Sequence, residues 1–317
     1  MSLAFVFPGQ GSQSVGMLAA LAAVEPVVQE TFAEASAVLG YDLWALCQQG
    51  PEADLGSTER TQPAMLAAGV ATWRAWLRHG GPRPAAMAGH SLGEYTALVC
   101  SGALEFKDAV DLVRFRGQIM QEAVPRGTGA MAAILGLDDE QVAEACRDAE
   151  QGEVVQAVNF NAPGQVVIAG HATAVARAIE GARARGAKRA VALPVSVPSH
   201  SRLMLGAAQR LAERLASVEV RMPEVAAMYT VGVKTHATPD GIRRALAEQL
   251  HEPVRWADTV RAMLASGVTT VVECGPGKVL TALNRRIERR PDLHMLPLDD
   301  PDSLAAALST CAENHHG

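Results

Sequence analysis

Gly89-His90-Ser91-Leu92-Gly93 places a serine between two glycines directly after an apolar stretch at 84–88, which is the pattern of a nucleophile elbow. A sharp strand-to-helix turn leaves no room for side chains at the two glycines. It also pushes the serine hydroxyl out over the following helix, expected here over 92–100. The first N–H groups of that helix, at its positive dipole end, would face any negative charge forming near Ser91. The chemistry such a turn serves is nucleophilic attack by the serine, with the electrophile left open.

A serine nucleophile needs a base within hydrogen-bond reach. Of the nine histidines, His90 adjoins Ser91 and must point elsewhere, and His315 and His316 are terminal. His79, His171, His236 and His251 fall at helix ends or in polar loops and read as solvated. His200 stands apart, because it ends Val195-Ser196-Val197-Pro198-Ser199-His200, where Pro194 and Pro198 stiffen the loop at low entropic cost. It is the candidate base, against the alternative of a capping or buried structural histidine. No aspartate lies near it in a triad pattern, and a backbone carbonyl could equally hold the imidazole in the correct tautomer.

Arg116 is marked by periodicity. Asp111, Arg114, Gln118 and Gln121 form a polar stripe at helical spacing, whereas Arg116 falls with Leu112, Val113, Ile119 and Met120 on the apolar stripe. An unpaired buried charge costs about 3 to 5 kcal/mol, so Arg116 needs a partner. That partner is either a structural carboxylate or the carboxylate of a substrate, which a guanidinium binds bidentately. The first loop, Phe7-Pro8-Gly9-Gln10-Gly11-Ser12-Gln13, fails as a phosphate loop, since Ser14 stands where the third glycine belongs and no lysine motif follows. Its better use is as an oxyanion donor. Elbow enzymes take one N–H from the residue after the serine and one from a separate loop, which here are Leu92 and Gln10.

These residues need a scaffold, and the chain alternates strand and helix in the manner of a parallel sheet covered by helices. Strands are expected at 3–7, 85–88, 225–230, 269–274 and 294–297, and helices at 64–78, 106–124, 203–216, 239–250, 256–266 and 279–289. Between 125 and 196 the order changes to strand (130–135), helix (139–149), strand (154–159), strand (165–169), helix (172–185), strand (189–195). That is the ferredoxin-like βαββαβ motif. The fold class is therefore α/β: a large α/β-hydrolase-like subdomain with a parallel sheet (1–124 and 197–317) and an inserted small ferredoxin-like subdomain (125–196). Pro125-Arg126-Gly127 and the 194–198 segment mark the crossings, and the tail through His315 and His316 is expected to fray.

With 317 residues the chain can bury a sizeable core, and its formal net charge of -6 argues against a nucleic-acid footprint. No apolar run approaches a membrane span and no leader pattern precedes the first strand, so a cytoplasmic protein is expected. Five scattered cysteines, Cys47, Cys100, Cys146, Cys274 and Cys311, indicate neither a metal site nor disulfides. Glu273-Cys274-Gly275-Pro276-Gly277-Lys278 reads as a structural turn, because Val279 follows the lysine. Arg285, Arg286, Arg289 and Arg290, together with Arg183, Arg185, Lys188 and Arg189, form basic clusters on an acidic chain. Such runs are ordinarily solvated faces.

Taken together, the segments resemble the malonyl-CoA:acyl-carrier-protein transacylase family of bacterial fatty-acid synthesis, over almost the whole chain. The matching pieces are FVFPGQGSQ (5–13), TQPA (61–64), GHSLGEY (89–95), RGQIMQEAVP (116–125), NFNAPGQVVIAG (159–170), VSVPSH (195–200) and ECGPGKVL (273–280). The resemblance implies Ser91 as nucleophile, His200 as base, Arg116 as clamp for the malonyl carboxylate, and the Gln10 and Leu92 N–H groups as oxyanion hole. It further implies that the backbone carbonyl of Gln249 orients His200 in place of a triad aspartate. The segment 228–233 lacks the asparagine and aspartate common at that strand end, and Ser201 stands where cysteine is frequent. Neither departure touches the catalytic set. The implied substrates and partners are malonyl-CoA and acyl carrier protein, with no tightly bound cofactor, no metal and no nucleic acid or membrane, and a monomer is expected. Arg285, Arg286 and their neighbours would be the face for an acidic carrier. The alternatives are the malonyltransferase subunit of a malonate decarboxylase and a serine thioesterase using the same elbow.

Overall fold

The computed structural model describes residues 2–125, 127–195 and 197–313. Arg126 and Ser196, at the expected crossings between subdomains, and the tail with His315 and His316 lie outside the described residues. The described strands, in chain order, are β1 (Ser2–Phe7), β2 (Ala86–Gly89), β3 (Gly129–Leu135), β4 (Val155–Ala162), β5 (Gln165–His171), β6 (Arg189–Ala192), β7 (Ala226–Met228), β8 (Val268–Cys274) and β9 (His294–Leu298).

One sheet has the order β7-β2-β1-β8-β9 with every pairing parallel. Its central strand, β1, is buried along Leu3–Phe7 and reads as an unbroken apolar run because helices cover both faces. Pro8 ends it, having no N–H to continue a ladder. The second sheet is antiparallel in the order β4-β5-β3-β6, the arrangement of a ferredoxin-like βαββαβ unit. Ala172–Ala184 and Asp139–Ala149 pack one face of it with a core of Ile134, Val142, Val166, Ile168 and Val175. The Phe160 N–H donates to the Val254 carbonyl (2.9 Å) and the Val254 N–H to the Val158 carbonyl (2.8 Å), which joins this sheet to the body.

Several elements depart from expectation. The helix expected at 64–78 runs over Thr58–Arg78, with Pro63 inside it, so the proline does not mark its start. The helices Ala19–Val24, Pro26–Leu39, Leu43–Gln49, Glu52–Leu55 and Pro301–Glu313 were not anticipated. Pro26 at a first helical position, Gly40 closing the same helix in the left-handed region, and the Asp42 side chain accepting from the Ala45 N–H are the local signals for two of them. β7 stops at Met228 rather than 230. Beyond it the Thr230 N–H bonds to a glutamate side chain instead of a ladder.

Candidate active site

Ser91 sits where β2 gives way to the helix Gly93–Cys100. The elbow is closed against β1: the His90 N–H donates to the Phe7 carbonyl at 2.9 Å. A Cβ on Gly89 would lie 1.8 Å from the Gly93 carbonyl carbon, and one on Gly93 would lie 2.0 Å from the Phe7 oxygen. Glycine is thus required twice by contact alone. Ser91 itself has φ +52°, a left-handed conformation that costs a non-glycine residue about 1 to 3 kcal/mol and is found at nucleophiles held outward.

His200 reaches Ser91 from across the body. Its N–H donates to the Leu250 carbonyl (2.9 Å), and its own φ is +64°. Nδ1 lies 2.7 Å from the Gln249 carbonyl, which can only accept, so Nδ1 carries the proton and Nε2 is left as acceptor for the Ser91 hydroxyl at 2.8 Å. Burial, and then the charge of Arg116, push the His200 pKa down to about 3. The imidazole is therefore neutral and able to accept a proton across the physiological range.

Arg116 is buried on the inner face of Phe106–Glu122. Nη1 donates to Gln62 Oε1 (2.8 Å), and Nη2 donates to Gln249 Oε1 (2.9 Å) and to Ser91 Oγ (3.3 Å). Nε has no partner, the guanidinium carbon lies 5.4 Å from the Tyr95 ring centroid, and among the described residues Arg116 forms no ion pair. Of the two partners left open by the sequence, a structural carboxylate in direct contact is not found among the described residues. What remains is a buried cation on neutral oxygens with a donor beside the nucleophile, which suits an anionic substrate group.

Among the described residues the backbone N–H groups of Gln10 and Leu92 bond to no backbone carbonyl, and Leu92 immediately precedes the helix. They are available to an oxyanion. Gln249 also joins the set by its side chain: Nε2 donates to the Ser91 carbonyl at 3.0 Å.

Four residues escaped the sequence reading. Gln62 holds Arg116; it is a buried amide on the apolar face of its helix, the same signal that marked Arg116, hidden because the helix was expected to begin after Pro63. Asn161 Oδ1 meets His90 Nε2 at 2.8 Å and turns that ring away from Ser91. Glu94 and Thr230 bond to one another in the interior. Two histidines read as solvated are not: His171 Nδ1 accepts the Val154 N–H (2.9 Å), and His236 packs edge-on to Tyr229 with ring centroids 4.8 Å apart.

Glu273 explains the glycine-rich turn after β8. Its two carboxylate oxygens accept from the N–H groups of Leu280 (2.9 Å) and Thr281 (2.6 Å), capping the helix Val279–Ile287. In the basic cluster, Arg286 bonds to Gln165 on β5 and Arg285 to the Met295 carbonyl (2.8 Å), so both already serve the fold. Among the described residues no group of three or more His, Cys, Asp or Glu side chains could hold a metal ion, and no helix is long and apolar enough to cross a membrane.

The acyl transferase domain family matches residues 4–306. The chain is 59% identical over 305 residues to a malonyl CoA-acyl carrier protein transacylase of Escherichia coli strain K12, covering 96% of this chain and 98% of that protein. An acyl carrier protein S-malonyltransferase from Vibrio cholerae superposes with a TM-score of 0.93 at 57% identity, covering 96% of this chain and 99% of that one. A malonyl-transacylase solved in complex with a type II polyketide-synthase acyl-carrier protein superposes with a TM-score of 0.96 at 54% identity, covering 98% and 100% respectively.

Proposed function

Because this chain belongs to the acyl transferase domain family and transfers malonyl groups between coenzyme A and acyl carrier protein, we propose that Ser91, His200, Arg116, Gln249 and the N–H groups of Gln10 and Leu92 perform that transfer. The observation that carries the assignment is the continuous line Gln249 carbonyl, His200, Ser91, with Arg116 3.3 Å from the same serine oxygen.

In the first half-reaction Ser91 Oγ attacks the thioester carbon of malonyl-CoA while its proton passes to His200 Nε2. The oxyanion forms against the Gln10 and Leu92 N–H groups, where losing one donor costs about 2.7 to 4 kcal/mol. The tetrahedral intermediate collapses by breaking the C–S bond, and the coenzyme A sulfur takes the proton from His200. In the second half-reaction the phosphopantetheine thiol of the carrier gives its proton to His200 and attacks the malonyl ester. Ser91 Oγ leaves and recovers the proton.

Arg116 selects the acyl group. A malonyl carboxylate would replace weak neutral contacts with a bidentate ion pair, whereas an acetyl group leaves the buried cation as it is. The carboxylate would also neutralise the Arg116 charge, the second-largest of the three causes that depress His200, so the correct substrate strengthens its own base.

The body is assigned 1–124 and 197–317, and the lobe 125–196, with the acyl site facing their junction. A cytoplasmic monomer with no tightly bound cofactor fits this activity. Size-exclusion chromatography with light scattering checks the monomer, and a dimer mass would remove it. The decarboxylase-subunit and thioesterase alternatives fall away, since the relatives' names specify an acyl-carrier-protein acceptor.

Intact-mass spectrometry after mixing with malonyl-, methylmalonyl- and acetyl-CoA tests the scheme. A malonyl adduct is expected on the wild type and none on Ser91→Ala; an adduct that persists without the serine would overturn it.

A further inference from the structure

Glu94 lies one turn beyond Ser91 on Gly93–Cys100, and it is buried rather than solvated. Its Oε1 accepts two hydrogen bonds of 2.7 Å, from the Thr230 N–H and the Thr230 hydroxyl. Oε2 is buried and has no hydrogen-bond partner among the described residues. A carboxylate left half-satisfied in an interior is costly unless a positive charge is near. Here the positive charge acting on it is Arg116, whose Nη2 donates to Gln249 Oε1 (2.9 Å) and whose guanidinium overlies the ring of Tyr95, the residue after Glu94. The catalytic scheme uses neither Glu94 nor Thr230.

We propose that Glu94 is the internal counter-charge of Arg116 and sets the enzyme's preference for a carboxylated acyl group: ionised, it neutralises the empty clamp, and protonated, it releases the guanidinium to the malonyl carboxylate. This rests on Arg116 being the malonyl clamp. The charge count supports it. With Glu94 ionised, an arriving malonyl carboxylate leaves the pocket with two negative charges against one positive; with Glu94 protonated, the pocket is neutral. Malonyl loading is therefore coupled to uptake of one proton at Glu94.

The surroundings allow that proton to move near neutral pH. Burial pushes the Glu94 carboxyl up to about 7, against the opposing pull of the Thr230 hydrogen bonds and the Arg116 charge. The other titratable groups packed around it do not change charge there. His200 is held neutral with a pKa of about 3, Tyr95 is pushed up to about 12, and burial raises Tyr229 further still.

The test is the rate of acyl-Ser91 formation from malonyl-CoA and acetyl-CoA, measured by quenched-flow mass spectrometry between about pH 6 and pH 8.5 on the wild type and Glu94→Gln. The quantity read is the malonyl-to-acetyl ratio, in which the ionisation of coenzyme A itself cancels. In the wild type the ratio should fall above pH 7, approaching about tenfold per pH unit as expected for one proton. In Glu94→Gln, which keeps the acceptor for Thr230 without the charge, the ratio should be flat. A wild-type ratio independent of pH, or an undiminished fall in Glu94→Gln, overturns the proposal, and the wild-type measurement alone decides if the variant does not fold. Failure of the clamp itself would show separately, as an Arg116→Ala enzyme that keeps the wild-type ratio at pH 6.

Discussion

Arg116 and Gln249 are joined by a 2.9 Å hydrogen bond from Nη2 to Oε1, and the same glutamine orients His200 through its backbone carbonyl. One residue after the helix Pro239–Glu248 thus holds both His200 and Arg116. Its side-chain nitrogen also holds the Ser91 carbonyl, so Ser91, His200 and Arg116 share a single anchor.

Removing the guanidinium should separate the two acyl groups. Arg116→Ala is expected to lower malonyl transfer by about 10²-fold to 10³-fold, because a charge-assisted bidentate contact is lost. Acetyl transfer should be spared or raised, since the positive charge that depresses His200 disappears with it. Steady-state kinetics with both thioesters decide the matter, and an equal loss for the two would remove the clamp.

Gln249→Glu tests the anchor with almost no change of shape. A carboxylate at that position would pair with Arg116 permanently and repel a malonyl carboxylate; the backbone carbonyl bonded to His200 is untouched, and the lost Nε2 bond to the Ser91 carbonyl bears on both acyl groups alike. Malonyl transfer should fall about 100-fold, mostly in KM, with acetyl transfer changed far less. Comparable losses for both substrates would mean that the side chain matters through the fold and not through the clamp.

The elbow, the His200 loop and the apolar-face arginine were legible because each is a local pattern: a glycine pair around a serine, a proline-stiffened turn, a charge out of phase with a helix. The parallel and antiparallel sheets were legible for the same reason, through the change from one alternation to another near residue 125. Gln62 was not, since its role depends on a helix that continues through Pro63 and on a contact 54 positions away in the chain. Glu94 lies just past the elbow in GHSLGEY, where sequence alone does not set it apart from any acidic residue in a first helical turn. Only packing against Thr230, 136 residues later, shows that it is buried. The segment 228–233, flagged as a departure from the family pattern, is where that contact is made.

Stability should depend on pH through two groups of opposite sign. His200 has a folded pKa of about 3 against an ordinary 6.5, so between those values the unfolded chain binds a proton the native state refuses, and stability falls as pH falls. Glu94 has a folded pKa of about 7 against an ordinary 4.5, so between those values the native state holds the extra proton, and stability falls as pH rises. Each contributes a slope of up to about 1.4 kcal/mol per pH unit, and between pH 4.5 and 6.5 they oppose each other. Urea unfolding across that window should show a weak dependence in the wild type. His200→Asn, chosen because asparagine tolerates the left-handed backbone, should become more stable on acidification relative to wild type. Glu94→Gln should become less so. Unfolding curves for either variant that run parallel to the wild type would show that the group titrates alike in both states.

Gly89→Ala should damage the fold before it damages the chemistry. The added methyl would stand 1.8 Å from the Gly93 carbonyl carbon, a backbone atom that cannot swing aside as a flexible side chain could. Relief requires the elbow to move off β1, breaking the 2.9 Å bond from His90 to Phe7 and shifting Ser91 away from both oxyanion donors. A loss of about 3 kcal/mol or more in unfolding free energy is expected, near the upper end for overpacking. Any folded fraction should give little acyl-enzyme even with malonyl-CoA in excess. The informative contrast is Gly11→Ala, in the oxyanion loop, where a Cβ meets no atom within 4 Å and only the φ of +107° is strained. If Gly89→Ala unfolds no more easily than Gly11→Ala, the close approach at the elbow is not what fixes that glycine.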